Sequence, residues 1–159
     1  MAKKNPVVPI ASVGADGHPH ITPVGSLWLH RTEPRGLYLE LFTKQLPKNL
    51  AHDPRFTMLF VDSGAWTWLR ALVRGTFRAP VGVRLHGVAG PPRASEPHEV
   101  ARFQRLVKPV SWTKGHDILW SRLPRVRDLT FTGATPIRLG AMTKGPELRL
   151  EASVEARRD

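Results

Sequence analysis

The sequence IASVGADGHPHITPV, residues 10–24, carries the clearest structural signal in this chain of 159 residues. Residues 7–13 are largely apolar and β-branched, which is typical of a strand. The dipeptide Asp16-Gly17 then favours a tight hairpin turn. Residues 18–29 alternate between two faces, as the side chains of a strand do. We therefore predict that the chain begins with a β-hairpin.

The second predicted strand is interrupted by Pro23 and Gly25. Proline removes a donor from the sheet ladder, and glycine marks a bulge or a place where another group approaches the backbone. The stretch Pro23-Val24-Gly25-Ser26 is therefore a candidate for contacting a planar ligand. An edge strand with an ordinary bulge explains the same residues, and from this stretch alone we favour it.

Short elements follow the hairpin. Residues 36–42 predict a third strand, 48–52 predict one helical turn, and 55–61 predict a fourth strand. The second half of the chain gives weaker signals. There we predict that 66–77 continues the sheet and that 85–89 forms another strand.

One longer helix is predicted near 96–108, because its apolar positions recur at helical spacing. Ser95 is suited to cap this helix, and Pro109 to end it. Residues 129–132 and 136–141 then predict a last hairpin or one strand with a bulge.

Many short strands with a few short helices favour a mainly β fold, a small β-barrel. We expect one domain over residues 1–142 and a polar C-terminal tail over 143–159.

The composition excludes several classes of protein. The chain has no cysteine, which rules out disulfides, zinc ribbons and cysteine nucleophiles. Hydrophobic residues make up 41%, as in a globular protein rather than a disordered chain. No apolar run approaches the roughly 20 residues of a membrane span, and the N-terminus has no cleavage signal. We expect a cytoplasmic protein without a membrane partner.

The net charge of +11 favours anionic partners. The densest basic stretch is 102–127, which also contains Trp112 and Trp120. Basic groups between aromatic rings can hold single-stranded nucleic acid. A charged, solvated surface over core residues such as Phe103 explains the same stretch, and we favour it over nucleic acid.

A donor cluster follows the third predicted strand. Thr43, Lys44, Lys48 and Asn49 bring hydroxyl, ammonium and amide donors to the start of a short helix. A helix N-terminus presents free N–H groups and positive partial charge, so this cluster is a candidate phosphate site. A solvated loop with ordinary lysines explains the same residues, and from the spacing alone we favour the loop.

Two histidine arrangements are weaker candidates. His18 and His20 lie two residues apart on one strand face, but no third ligand stands nearby in the sequence, and we predict no metal site. The pair His116 and Asp117 has the composition of an acid–base pair, but we favour a solvent loop.

Three segments together resemble the pyridoxamine 5′-phosphate oxidase-like superfamily. They are DGHPHITP at 16–23, LELFT at 39–43 and KNLAHDP at 48–54. The resemblance implies a split β-barrel that binds FMN, and a homodimer with two cofactor sites at the subunit interface. It also implies that Pro23, Val24, Gly25 and Ser26 lie along the isoalloxazine ring. Phe42 and Thr43 would then flank the phosphate, which Lys44, Lys48 and Asn49 would neutralise.

The C-terminal half departs from the true pyridoxamine phosphate oxidases, which carry a pattern like F-W-x-G-x-x-x-R-L-H-x-R. Here Arg138-Leu139 matches, but Thr132, Gly140 and Met142 replace the Trp, His and last Arg. We therefore expect an FMN-dependent oxidoreductase of another branch, acting on an unidentified small molecule. The candidates for the substrate side, in part from the second subunit, are Trp66, Trp68, Trp112 and Arg138.

Three rival functions stay open. A deazaflavin fits the same kind of barrel, and so does a flavin or haem carrier without turnover. A basic barrel that binds nucleic acid is the third, and it needs no cofactor.

Overall fold

The computed structural model of the chain describes residues 7–41, 43–62, 64–77, 79–113 and 125–143. In these residues the strands are β1 (Val8–Val13), β2 (Pro19–Val24), β3 (Leu27–Leu29), β4 (Arg35–Glu40), β5 (Arg55–Val61), β6 (Gly82–Ala94) and β7 (Arg125–Ile137). The α-helices are α1 (Gln45–His52), α2 (Ala65–Arg74) and α3 (Pro97–Val107). All the strands pair antiparallel in one sheet, in the order β2-β1-β5-β6-β7-β4-β3. The mainly β prediction is confirmed.

The predicted N-terminal hairpin is confirmed. β1 pairs with β2 from Val8 opposite Val24 to Val13 opposite Pro19. Gly17 adopts a φ of 77° in the turn, a conformation that glycine adopts without strain.

The sheet curls because of the connection between β2 and β3. These two strands are the opposite edges of the sheet, yet only Gly25 and Ser26 separate them in sequence. In a flat sheet of seven strands the edges would be about 29 Å apart. The link from Val24 to Leu27 spans at most about 11 Å. The edges must therefore approach each other at this point, which produces the predicted split barrel.

The interior of the curled sheet is an apolar core. Its fully buried members include Ile10, Tyr38, Met58 and Leu129. Helix α1 contributes Leu46 and Leu50 to the same cluster, and so it covers one end of the barrel. This helix is longer than the single turn predicted over 48–52.

The prediction that 66–77 continues the sheet is wrong. Residues Ala65–Arg74 form α2, which Gly75 ends at a φ of 65°. Leucine, alanine and arginine favour helix over strand, and Trp68 and Ala71 recur at a spacing of three toward the core. Tryptophan and valine also occur often in strands, so residue type alone does not separate the two structures here.

The last strands are longer than predicted. The predicted strand 85–89 is the middle of β6, and β7 is one continuous strand instead of a hairpin. The alternative of a bulge is confirmed, because His86 pairs with Gly133 and Gly87 with Phe131, which leaves Thr132 unpaired. Residues Gly140–Met142 form a 3₁₀ turn, so the predicted strand over 136–141 ends early.

The predicted helix near 96–108 is confirmed as α3, but its cap is Glu96 and not Ser95. Glu96 accepts from the backbone of Glu99, whose carboxylate accepts in return from the N–H of Glu96 at 2.8 Å. Phe103 and Val107 pack this helix on the outer face of β4 and β7. None of the described helices has the length and apolar content that crossing a membrane requires.

Arg93 ties α3 to the sheet. Its guanidinium contacts Glu99 at 2.6 Å and Asp128 at 2.8 Å. The hydrogen bond from Arg93 holds the pKa of Glu99 below its ordinary value. Because the folded protein favours the ionised carboxylate, this interaction stabilises the fold above the ordinary pKa of glutamate. That contribution is lost as the pH falls through the lowered folded pKa.

We expect Glu99→Gln to lower the free energy of unfolding by about 2 kcal/mol at neutral pH, because it removes a charged hydrogen-bond acceptor that is almost completely buried. The difference from the parent should shrink as the pH falls below about 4. Urea unfolding at several pH values measures this difference in the free energy of unfolding. Glu33→Gln, which removes only exposed ion pairs, should change little. An equal loss at all pH values would contradict the assignment.

Candidate cofactor site

Ser26 joins two of the predicted cofactor segments. Its side chain is buried, and its hydroxyl donates to the carbonyl of Leu39 at 2.9 Å. The N–H of Leu39 donates back to the carbonyl of Ser26 at 3.2 Å. These bonds hold the segment from Pro23 to Ser26 beside the end of β4, four residues before Thr43. The structure therefore brings these two segments near each other, although they are far apart in sequence.

Thr43 carries an unsatisfied polar atom. Its hydroxyl oxygen is buried and has no hydrogen-bond partner in the described structure. A buried hydroxyl without a partner costs about 1–3 kcal/mol, and such atoms are uncommon in folded proteins. This hydroxyl is available to a bound group. Phe42, the other residue predicted to flank the phosphate, lies outside the described residues.

The charges next to Thr43 are positive. Lys44 occupies the N-cap position of α1, and both it and Lys48 are exposed. The first turn of α1 contains no acidic residue. Free N–H groups at a helix N-terminus and two ammonium groups together favour an anion. The chemistry of these donors fits a phosphate group.

Asn49 faces the core instead of this charged surface. It is 1% exposed, its amide donates to the hydroxyl of Ser12 at 3.0 Å, and its oxygen accepts from Gln45 at 2.8 Å. The side chain therefore fixes α1 against β1. Its direct contact with a cofactor stays a prediction, and the hydrogen bonds support a positioning role.

Three of the four substrate-side candidates lie at one end of the barrel. Trp66 and Trp68 are on α2, and Arg138 directly follows β7, whose last residue packs against the α2 cluster. Trp68 is held in place by a hydrogen bond from its indole to the carbonyl of Asp62 at 2.9 Å and by edge-on packing on Phe77. Trp66 is 68% exposed.

The fourth candidate lies elsewhere. Trp112 is 85% exposed and follows α3, which packs near the start of β7. The structure therefore does not group Trp112 with the tryptophans of α2.

The two predicted halves of the site are separated within one chain. Glu40, three residues before Thr43, lies opposite Arg125 in the sheet, and Arg125 is the first residue of β7. Arg138 follows Ile137, the last residue of β7. A strand of this length has a contour of about 40 Å. Thr43 and Arg138 of one chain are thus at opposite ends of β7. A compact ligand that touches both needs them from two copies.

Sequence reasoning missed a buried ionic cluster at the end of β4. Glu40 accepts from Arg127 at 2.8 Å, and its second oxygen lies 3.3 Å from Arg125. The hydroxyl of Tyr38 donates a hydrogen bond to Glu40. Burial of Tyr38, together with the neighbouring carboxylate of Glu40, raises the pKa of Tyr38 well above its ordinary value. The alternation of Tyr38 and Glu40 with leucines was the available signal, because it places both on one face. This cluster braces the strand that leads to Thr43.

A second feature that was not predicted is a groove of about 520 Å³ on the face of the sheet opposite the core. There His86 lies between Thr57 at 3.0 Å and Thr135 at 3.1 Å. Both ring nitrogens are therefore occupied. No three His, Cys, Asp or Glu side chains in the described segments cluster as metal ligands. The pair His116 and Asp117, with Trp120, lies outside those segments.

Comparison with solved structures places this geometry among known folds. An FMN-binding protein from Syntrophomonas wolfei has a TM-score of 0.58 and 10% identity, over 87% of this chain and 81% of that one. HutZ, the heme storage protein from Vibrio cholerae, has a TM-score of 0.53 and 12% identity, over 84% and 87%. An F420 reductase has a TM-score of 0.53 and 12% identity, over 81% and 88%. At these identities, the likeness shows the fold alone.

Sequence comparison is more specific. No curated protein matches the chain. The family model described as pyridoxamine 5′-phosphate oxidase matches residues 1–129. This match covers most of the chain, including both the hairpin and the segment that carries Thr43, Lys44 and Lys48. The protein therefore belongs to the pyridoxamine 5′-phosphate oxidase family.

Proposed function

We propose that this protein is an FMN-dependent oxidoreductase acting on a small molecule, with each cofactor site completed by a second copy. The observation that carries the proposal is the buried hydroxyl of Thr43, which has no partner and lies beside two exposed lysines and a helix start without acidic residues. A phosphate group would satisfy this hydroxyl. Family membership supports the choice of a flavin phosphate.

The phosphate and the ring would be held by different parts of the chain. Lys44 and Lys48 would supply charge, and Thr43 a short directional donor. Pro23 has no N–H and Gly25 is exposed without a side chain, so a flat ring can lie against this backbone. The hydrogen bonds between Ser26 and Leu39 would fix that surface relative to Thr43.

When bound, FMN supplies the hydride or electron transfer itself. The residues of the chain would position the cofactor and shape access to it. Trp68 and Arg138, both from the second copy, would line the substrate side and orient an anionic or aromatic substrate. We assign no acid–base residue. We place the activity in the cytoplasm, in agreement with a chain that has no cysteine.

Two relatives in fold motivate alternative cofactors. One is an F420 reductase, and a deazaflavin would need the same flat surface. Another is a heme storage protein. A carrier without turnover would bind its cofactor but show no reductant-dependent activity. Binding to oligonucleotides with a steep salt dependence would instead favour the nucleic-acid alternative.

The first prediction concerns cofactor choice. Purified protein titrated with FMN, F420 and haem should bind FMN most tightly, and the flavin absorbance should co-elute with a dimer in sedimentation velocity. Binding of F420 or haem at a Kd at least tenfold lower would replace FMN in the proposal. A chain that stays monomeric when saturated with FMN would contradict the shared site.

The second prediction separates stability from binding. Thr43→Val removes the unpaired hydroxyl and keeps the shape. The free energy of unfolding without cofactor should therefore stay unchanged or rise by about 1 kcal/mol. The Kd for FMN should rise about tenfold, because a hydrogen bond to a charged phosphate is lost.

The lysines give a matched comparison for the same titration. Lys44→Ala with Lys48→Ala should raise the Kd for FMN at least tenfold. Lys108→Ala removes an exposed lysine from the end of α3 and should leave the Kd unchanged. An unchanged Kd in the Thr43 and lysine variants alike would remove the phosphate from this position.

A third prediction tests Asn49. Asn49→Leu should lower the free energy of unfolding by about 2 kcal/mol, because Ser12 and Gln45 lose their buried partner. The Kd for FMN of the folded variant, measured well below its melting temperature, should change less than threefold. A tenfold loss of affinity with unchanged stability would instead make Asn49 a direct contact.

A further inference from the structure

Helix α2 exposes an apolar face that the barrel does not cover. Trp66, Leu69 and Val73 follow one another at spacings of three and four, so they share one side of the helix. They are 68%, 51% and 81% exposed. Leu72, at 63%, extends this face on one side. We call Trp66, Leu69, Leu72 and Val73 the α2 face.

This arrangement differs from that of an ordinary surface helix. The opposite side of α2, with Trp68 and Ala71, already packs against Phe77, Val81 and Ile137. The helix is therefore apolar on both sides, although only one side is needed for the fold. Single exposed apolar residues are common, but a contiguous exposed group marks an interaction surface.

Basic groups flank the α2 face. Arg70 and Arg74 are exposed one turn apart, and no ion pair joins them to a described residue. They line a cleft of about 200 Å³ together with Trp66, Thr67 and Thr76. The helix contains no acidic residue. A cleft with two guanidinium groups and two hydroxyls has the chemistry to receive a phosphate group.

We propose that the α2 face docks on an anionic phospholipid surface. Tryptophan, leucine and valine would enter the boundary between headgroups and acyl chains, while Arg70 and Arg74 contact lipid phosphates. A helix with arginines beside a large apolar face that contains tryptophan is typical of such binding. This docking is peripheral, and it goes beyond the expectation of a protein without a membrane partner.

Charge favours a lipid surface over a second copy of the chain. In a symmetric contact between two α2 faces, the arginines of both copies would approach each other in a protein of net charge +11. An anionic surface attracts the same groups. Nucleic acid would also attract the arginines of α2, but it offers no apolar phase for Leu69 and Val73.

Cosedimentation of the full chain with vesicles tests the proposal. Vesicles of phosphatidylcholine with 30% phosphatidylglycerol should bind the protein at least tenfold more tightly than pure phosphatidylcholine vesicles. Arg70→Gln with Arg74→Gln should reduce the partition coefficient about 25-fold, because each basic side chain near an anionic surface contributes about a factor of five.

The apolar variants provide the decisive comparison. Leu69→Gln with Val73→Gln should abolish binding to the anionic vesicles and preserve the melting temperature within a few degrees. The matched control Ile21→Gln with Val88→Gln changes two exposed apolar residues of β2 and β6 and should bind as the parent does. None of these substitutions touches the residues proposed to hold FMN, so failure here leaves the proposed function standing.

Several outcomes would overturn the proposal. If the parent and Leu69→Gln with Val73→Gln bound the anionic vesicles equally well, the binding would reflect only the general attraction of a basic protein to an anionic surface. If those two substitutions instead turn a dimer into a monomer in sedimentation velocity, the α2 face is an interface between copies. The protein could instead bind a single-stranded oligonucleotide and not the vesicles. If Arg70→Gln with Arg74→Gln abolished that binding, the α2 face would be assigned to nucleic acid.

Discussion

The structure depends on the short link between the two edges of its sheet. Gly25 and Ser26 alone connect β2 with β3, so the edges must meet at this point and the sheet must curl. The hydrogen bonds between Ser26 and Leu39 then close the junction. Because the link passes beside the end of β4, it also sets the distance between the proposed ring surface and the Thr43 segment. Barrel closure and site assembly are consequences of the same constraint.

Polar groups around this junction fall into two kinds. Asn49, Ser12, Glu40 and Arg127 are buried, and each has protein partners. They hold α1 and the end of β4 in place. Thr43 is different, because its buried oxygen has no partner. The other buried side-chain oxygen without a hydrogen bond among the described residues is Oε2 of Glu40, and the charged guanidinium of Arg125 lies 3.3 Å from it. The hydroxyl of Thr43 has no such contact, so a ligand that bonds to it would remove the cost of leaving it unpaired.

Much of the N-terminal half was predictable from local signals. The hairpin follows from Asp16-Gly17 and alternation, and the donor cluster follows from residue types around Thr43. Helix α2 was not predictable in the same way, because its tryptophans suit a strand, and only its packing against Phe77 and Ile137 decides the matter. The burial of Asn49 was also hidden, since its partner Ser12 lies 37 residues away. Neither the ionic cluster nor the separation of Thr43 from Arg138 follows from sequence spacing, because both depend on register across β4 and β7.

That separation has a consequence for any chemistry at the site. β7 carries the ionic cluster near its start and packs against the α2 region at its end. Its pairing with β6, which runs from Gly82 opposite Ile137 to Ala94 opposite Arg125 and is interrupted only at bulges, keeps β7 extended and its two ends apart. Groups from both ends can therefore surround one cofactor only if two copies present opposite ends to each other. In such a dimer the strand acts as a rigid spacer, and each copy would supply the phosphate donors of one site and the substrate side of the other. The α2 face need not be buried by this contact, since it points away from the core that packs against β7.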